Sequence, residues 1–327
     1  MIEARIVALW RKYIQFLRTD KEHVGAAERL VRGLPVVVPY YVVALVLLIR
    51  ATLWRPLTID HTTEAGIHFR CRLPDGVQTF VYLFGMWEPD LTAFLRRRLR
   101  PGDTFIDVGA NVGYMSAMAS KLVGPRGAVV AIEPAPSACT ALQQTVAMND
   151  LANTRLVAAA VSDRDEELPL FVGPSFLSLG RSTTVPRAAQ GHPLLREHGW
   201  VRAAPLGSLV TREELATTRL IKIDVESAED RVLTGMLTSL DELASDAEIF
   251  VEVEAGCWSD PQLRPIDVLR PYLERGYHIY LMPAHYWPWR YLWSKDVRAP
   301  KRLRDLARLE RRERFDMVLS RIDADEL

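Results

Sequence analysis

Two groups of residues in this sequence have types and spacing suited to chemistry. The first is the stretch DTFIDVGANVGYMS, residues 103–116, in which an apolar run ends in a glycine turn: Gly109, then Ala110, Asn111 and Val112, then Gly113. Asp107 precedes the first glycine, and Glu133 closes the next apolar run, AVVAIEP. The second is KIDVESAE, where Asp224, Glu226 and Glu229 crowd together after another apolar run. Glycine turns after a strand let backbone approach a ligand. The dinucleotide pattern G-x-G-x-x-G is absent, and no G-K-[ST] follows for a phosphate loop. Asp107 would repel a phosphate but suits a cationic ligand. Glu133 is placed to accept the two hydroxyls of a ribose. A ribose without an adjacent phosphate, next to a cationic group, describes S-adenosylmethionine.

The acids at 224–229 suit a different task. Methyl transfer to a hydroxyl is an in-line displacement, so an enzyme must align the reactants and take up a proton. Clustered carboxylates raise one another's pKa, which helps one act as a base. Asp224 or Glu226 is the expected base, with Glu229 in the same group as a cap or support. Two other readings stay open: a divalent cation held by Asp224 with Glu252 or Glu254, and simple capping of the following helix. Glu88 in WEP is a further candidate for contact with the donor or acceptor. Ser162 and Asp163, at the end of the third strand of the alternating series, are the candidates for the adenine. His192 and His198 are weaker candidates for a base. No histidine or cysteine spacing suggests a metal site, and the scattered Cys71, Cys139 and Cys257 read as free thiols.

These residues need strands and helices to hold them. TFIDVG, AVVAIEP, RLVAAAVS, LIKIDVE, EIFVEVE and YHIYLMP read as strands alternating with helical segments, and FDMVLS as a last strand. Unalternated apolar strands suit a parallel sheet covered on both faces. The expected fold is therefore α/β and doubly wound. Residues 163–200 read as a long polar stretch that could form a lid.

PGDTFIDVGANVGYMSAMASKLVGPRGAVVAIEPAPSACTAL, NDLANTRLVAAAVSD and LIKIDVESAED together resemble the FkbM-type family of S-adenosylmethionine-dependent methyltransferases. The resemblance covers about residues 80–255. It implies a seven-stranded, Rossmann-like methyltransferase fold with its sixth and seventh strands antiparallel, and S-adenosylmethionine as cofactor. It also implies a hydroxyl acceptor on a glycosyl, polyketide or lipid-linked molecule. Two departures stand out: Ser227 where the family usually has glycine, and PLGSLV at 205–210 in place of a TLDDL-like segment. The rival readings are a catalytically silent domain that binds only the donor or a partner, and a nicotinamide oxidoreductase, against which the missing G-x-G-x-x-G counts.

Residues 1–57 read as a helical, partly apolar extension ahead of a methyltransferase domain at 58–327. Within that domain, IHFRCRLPDGVQTFVYLF suggests a hairpin over 58–84 turning at PDG. Residues 283–314 suggest an aromatic and basic insertion, with HYWPWRYLWSKD followed by a basic amphipathic helix. Leu34–Ile49 is uncharged, with Arg32 and Arg50 at its ends. A spanning helix needs roughly 20 apolar residues, so 34–54 is either a membrane segment or a helix buried against the domain or a partner. The Lys/Arg-rich 1–33 would place the amino terminus on the cytoplasmic side; the expected location is cytoplasmic, with or without attachment to the inner membrane face. Acids and bases balance at 41 each, so charge gives no reason to expect a nucleic-acid partner. Oligomeric state is not legible.

Overall fold

The computed structural model describes residues 2–53, 56–173, 182–283, 288–310 and 312–327. The chain starts with helices α1 (Ile2–Leu17) and α2 (Ala26–Leu53), an antiparallel hairpin of β1 (Leu57–Thr62) and β2 (His68–Leu73), and helices α3 (Gly76–Phe84) and α4 (Pro89–Arg98). Strand–helix alternation then runs through β3 (Thr104–Val108), α5 (Tyr114–Val123), β4 (Ala128–Ile132), α6 (Pro136–Met148) and β5 (Thr154–Val157). Next come β6 (Ala160–Val161), β7 (Glu166–Val172), β8 (Ser182–Thr183), α7 (Pro186–Gln190) and β9 (Arg196–Ala204). Short helices α8 (Leu206–Leu209) and α9 (Arg212–Ala216) lead to β10 (Thr218–Ile223), α10 (Glu229–Met236), β11 (Glu248–Glu254) and α11 (Pro265–Glu274). The chain closes with β12 (His278–Met282), β13 (Lys301–Arg302) and β14 (Arg314–Ser320).

The main sheet has the order β13-β12-β14-β11-β10-β3-β4-β5. From β11 to β5 every pairing is parallel, whereas β14 runs antiparallel to both β11 and β12. Leaving aside the two-residue edge strand β13, this is the doubly wound, seven-stranded arrangement with an antiparallel final pair. Side chains alternate between the two faces. Phe105, Leu220, Phe250 and Val318 enter the core shared with α1–α5. Ile106, Ile221, Ile249 and Leu319 enter the opposite core.

Three local expectations are corrected. PDG is not a hairpin turn: Asp75 caps α3, its side chain accepting the Gln78 N–H at 3.0 Å. Val77, Phe80, Val81 and Phe84 recur with helical spacing, and packing of that stripe overrides the strand preference of their aromatic and β-branched types. RLVAAAVS splits, with β5 staying in the main sheet while β6 pairs with β9. The polar stretch after it builds a second sheet, β6-β9-β7-β8; its residues 174–181 lie outside the described ones. Within 301–314 no α-helix forms among the described residues, because Lys301–Arg302 pairs with β12 and Asp305 caps a short 3₁₀ turn instead. Residues 284–287 of the aromatic segment also lie outside the described residues, but Tyr291, Leu292 and Trp293 are core. The Tyr291 ring packs 4.7 Å from Phe80 and 5.0 Å from Phe84.

Candidate active site

The carboxyl ends of β3, β4 and β10 meet around the glycine turn. Gly109 and Gly113 have φ of 79° and 83°, and Asn111 lies between them at 51°. A Cβ on Gly109 would sit 1.8 Å from the carbonyl oxygen of Asp224, so only glycine lets β3 and β10 end this close together. Two cavities share this floor. A small one, about 60 Å³, is lined by Glu133, Ala159–Val161, Leu170, Thr183 and Thr184. A larger one, about 430 Å³, is lined by Glu88, Lys222, Glu252 and Arg314 on one side and by Tyr40, Tyr41, Phe80 and Trp87 on the other. Gly109, Asn111, Asp224 and Glu226 line both.

Glu133 is buried, and each of its oxygens accepts one backbone N–H, from Asn111 and from Ala135, both at 2.9 Å. Burial pushes its pKa up to about 7 despite those two bonds. Asp107 is corrected. It lies wholly buried beneath the turn rather than facing a ligand, accepting from Ser116 Oγ at 2.6 Å. Its cation is internal: Lys222 Nζ is 3.3 Å from Asp107, 3.2 Å from Asp224 and 2.9 Å from the Gly109 carbonyl oxygen, to which it donates. Burial works against the ammonium charge, but Asp224, Asp107 and Glu88 overcome it and keep the lysine cationic.

Strand register explains the grouping. Lys222 is directly opposite Asp107, and Glu252 is directly opposite Asp316. All four occupy the sheet face of Phe105 and Leu220, at the end where that apolar face gives way to the cavity. Glu88 enters from the loop before α4, held in the left-handed region at φ 42°. Glu88, Asp224 and Glu252 bring carboxylate oxygens within 4.8 Å of one another. Burial first, then Asp224 and Glu252, push the Glu88 pKa well above the usual carboxylate range. Arg314 pairs with Glu252.

Other expected residues do not reach the cavities. Glu229 is buried as scaffold, accepting from Trp258 Nε1 at 2.8 Å, Ser227 N at 2.7 Å and Glu254 N at 3.2 Å. Asp163 accepts from Arg231 at 2.7 Å, the buried Ser162 hydroxyl donates to Asp163 at 3.1 Å, and the wall at that point is Ala159–Val161. Ser227, at φ 82°, turns its hydroxyl to Glu254 at 2.9 Å and does not narrow either cavity. His192 and His198 line neither. Reading the sequence alone overlooks Lys222. The available signal was a lone charge at even spacing from Asp224 in an otherwise apolar strand. It also overlooks Tyr40 and Tyr41, which come from the amino-terminal extension.

The model of the methyltransferase FkbM domain matches residues 107–279, just over half of the chain. The chain belongs to the FkbM methyltransferase family. It is similar to the 31-O-demethyl-FK506 methyltransferase FkbM of Streptomyces tacrolimicus, with 31% identity over 162 residues. That match takes in 42% of this chain and 61% of the relative, so the chain spans less than two thirds of it. A methyltransferase FkbM from Methylobacillus flagellatus KT is 14% identical with a TM-score of 0.39, over 75% of this chain and 55% of that one. The M. jannaschii TYW2 structure in complex with AdoMet is 14% identical with a TM-score of 0.41, over 82% of this chain and 89% of that one. The FkbM domain therefore contains both glycines, Glu133 and the Lys222–Asp224 pair, whereas Glu88, Arg314 and the tyrosines of α2 lie outside the matched span.

Proposed function

We propose that this FkbM-family enzyme methylates a hydroxyl oxygen of a glycosyl, polyketide or lipid-linked acceptor. The observation that carries this reading is the shared floor: Gly109 and Asn111 of the turn and one acid, Asp224, line both the small recess beside Glu133 and the larger cavity next to it. The recess fits the donor chemically. Glu133 offers a carboxylate to two ribose hydroxyls, Ala159–Val161 and Leu170 offer an apolar wall for a base, and Gly109 and Asn111 supply close backbone. When bound, S-adenosylmethionine supplies an electrophilic methyl on a good leaving group.

The rest falls to this chain's own residues. Asp224 is positioned by Lys222 and takes the proton as the acceptor oxygen bonds to the methyl carbon and the carbon–sulfur bond breaks. Glu88, whose carboxyl pKa is raised by burial and by the nearby Asp224 and Glu252, reaches the same cavity and hydrogen-bonds the acceptor. Phe80, Trp87, Tyr40 and Tyr41 exclude water from the nucleophile. In this domain division, residues 58–327 supply the catalytic unit and 1–57 one wall of the acceptor cavity.

The test is Asp224→Asn. It should retain donor affinity within about threefold by calorimetry, yet lose at least about 100-fold in labelled-methyl transfer to a panel of glycolipid and polyol acceptors. Normal turnover by this variant would remove Asp224 from the base role. Donor binding without transfer to any acceptor, by the wild-type protein, would favour a silent binding domain.

A further inference from the structure

The amino-terminal helices expose an apolar surface that the methyltransferase chemistry does not use. On α1, Val7, Trp10 and Ile14 face the core, while Leu9 is 66% and Phe16 80% exposed, with Ile6 and Tyr13 beside them. On α2, Val36, Leu47 and partly Tyr40 and Val43 pack on the core. The opposite flank carries Tyr41, Leu45, Ile49 and Leu53 in a line at four-residue spacing, Leu45 being 56% and Ile49 48% exposed. Among the described residues, the large apolar side chains exposed elsewhere are only Leu194, Trp200 and Ile322.

The surroundings of this surface identify what covers it. Arg5 and Lys12 are exposed beside the α1 strip. Among the described side chains of α1 and α2 the one acid, Glu28, is held by Lys21 and Arg32. An apolar strip with a basic flank is what an anionic bilayer surface binds; a second copy would bring the same basic flank against itself. Spanning is disfavoured by packing. Val36 to Leu47 covers about 16 Å of helix rise, and one side of α2 stays against the domain over that length, so the helix lies along the protein rather than away from it.

The strip also reaches the reaction cavity. Tyr41 begins the exposed line of α2 and lines the larger cavity together with Tyr40, facing Asp224 and Glu88 across it. We propose that α1 and α2 lie in the plane of an anionic membrane surface and that the acceptor is a lipid-anchored hydroxyl compound that enters past Tyr41 from that surface. The acceptor half of this inference rests on the methyltransferase reading; the docking half does not.

Flotation of the full chain with phosphatidylcholine vesicles, with and without phosphatidylglycerol, tests docking. The wild-type protein should float with the anionic vesicles and be released by high salt or carbonate. Leu45→Glu/Ile49→Glu, and separately Leu9→Glu/Phe16→Glu, should cut the floated fraction by at least about tenfold with donor affinity unchanged. Protein that stays in solution with both vesicles, resists carbonate, or forms a dimer split by these substitutions overturns the docking. With labelled methyl donor and separated cell fractions, label should enter solvent-extractable material of the membrane fraction, about tenfold less with the α2 variant. Label in water-soluble material at equal rates with both proteins overturns the lipid-anchored acceptor. Absence of donor binding by the wild type would instead defeat the methyltransferase reading and leave the vesicle result standing.

Discussion

Glu133 gives the most direct test of the donor recess. Its two oxygens already accept the Asn111 and Ala135 N–H groups, and burial holds its pKa at about 7. Ribose hydroxyls would donate to the same oxygens and favour the anion, so the pKa in the complex must be lower than in the free protein. Donor affinity should therefore rise with pH, by up to about tenfold per unit, and level off above the free value near 7. Folding stability has the opposite sign. The folded pKa exceeds the unfolded one, so this contribution is present below the unfolded carboxylate range and lost as pH rises through about 7. The loss is about 3 kcal/mol, and bound donor offsets it. Glu133→Gln removes the titration but has one carbonyl oxygen for two N–H donors. One buried N–H is left facing an amide, at a cost of about 1–3 kcal/mol of stability. Loss of the charge-assisted hydroxyl bonds should weaken the donor by about 10- to 100-fold. Calorimetry with S-adenosylmethionine and its demethylated product between about pH 5.5 and 8.5 reads both effects. A flat wild-type profile, with the glutamine variant within about threefold of it, would refute the assignment.

Two substitutions probe the scaffold around the site. Lys222→Met leaves Asp107 buried without its cation and should destabilise the fold by about 3–5 kcal/mol, partly recovered by adding Asp107→Asn; thermal melts of the single and double variants check this, and an unchanged single-variant melt would contradict the pairing. Ser227→Gly relieves a left-handed residue worth about 1–2 kcal/mol but loses the bond to Glu254, about 1 kcal/mol, and adds glycine's unfolded-state entropy. Chemical denaturation should place it within about 1 kcal/mol of wild type, with methyl transfer unchanged because Ser227 lines neither cavity; a large activity change would return Ser227 to the site.

The alternating strands and the glycine turn were legible in the sequence because each is a local pattern, whereas the antiparallel final pair was expected from the family resemblance. A strand buried on both faces must be apolar throughout, and a turn of this kind must contain glycine. Glu133 and Asp224 followed from the same logic, as the polar residues at strand ends. What the sequence could not decide was which way charges face once strands pair. Asp107 looks like a ligand-facing acid until parallel register sets Lys222 against it. Glu229 looks catalytic until the end of β11 and Trp258 close around it. Ser162 and Asp163 lie at the expected strand end, yet Arg231 draws the aspartate away. The helix at 76–84, and the absence of an α-helix among the described residues of 301–314, show the same limit, since packing and edge pairing outweighed local preference. The acceptor cavity is the most tertiary feature of all: its walls come from α2, α3, the Glu88 loop, β10, β11 and β14, and only their mutual packing brings Tyr41 and Asp224 to one space.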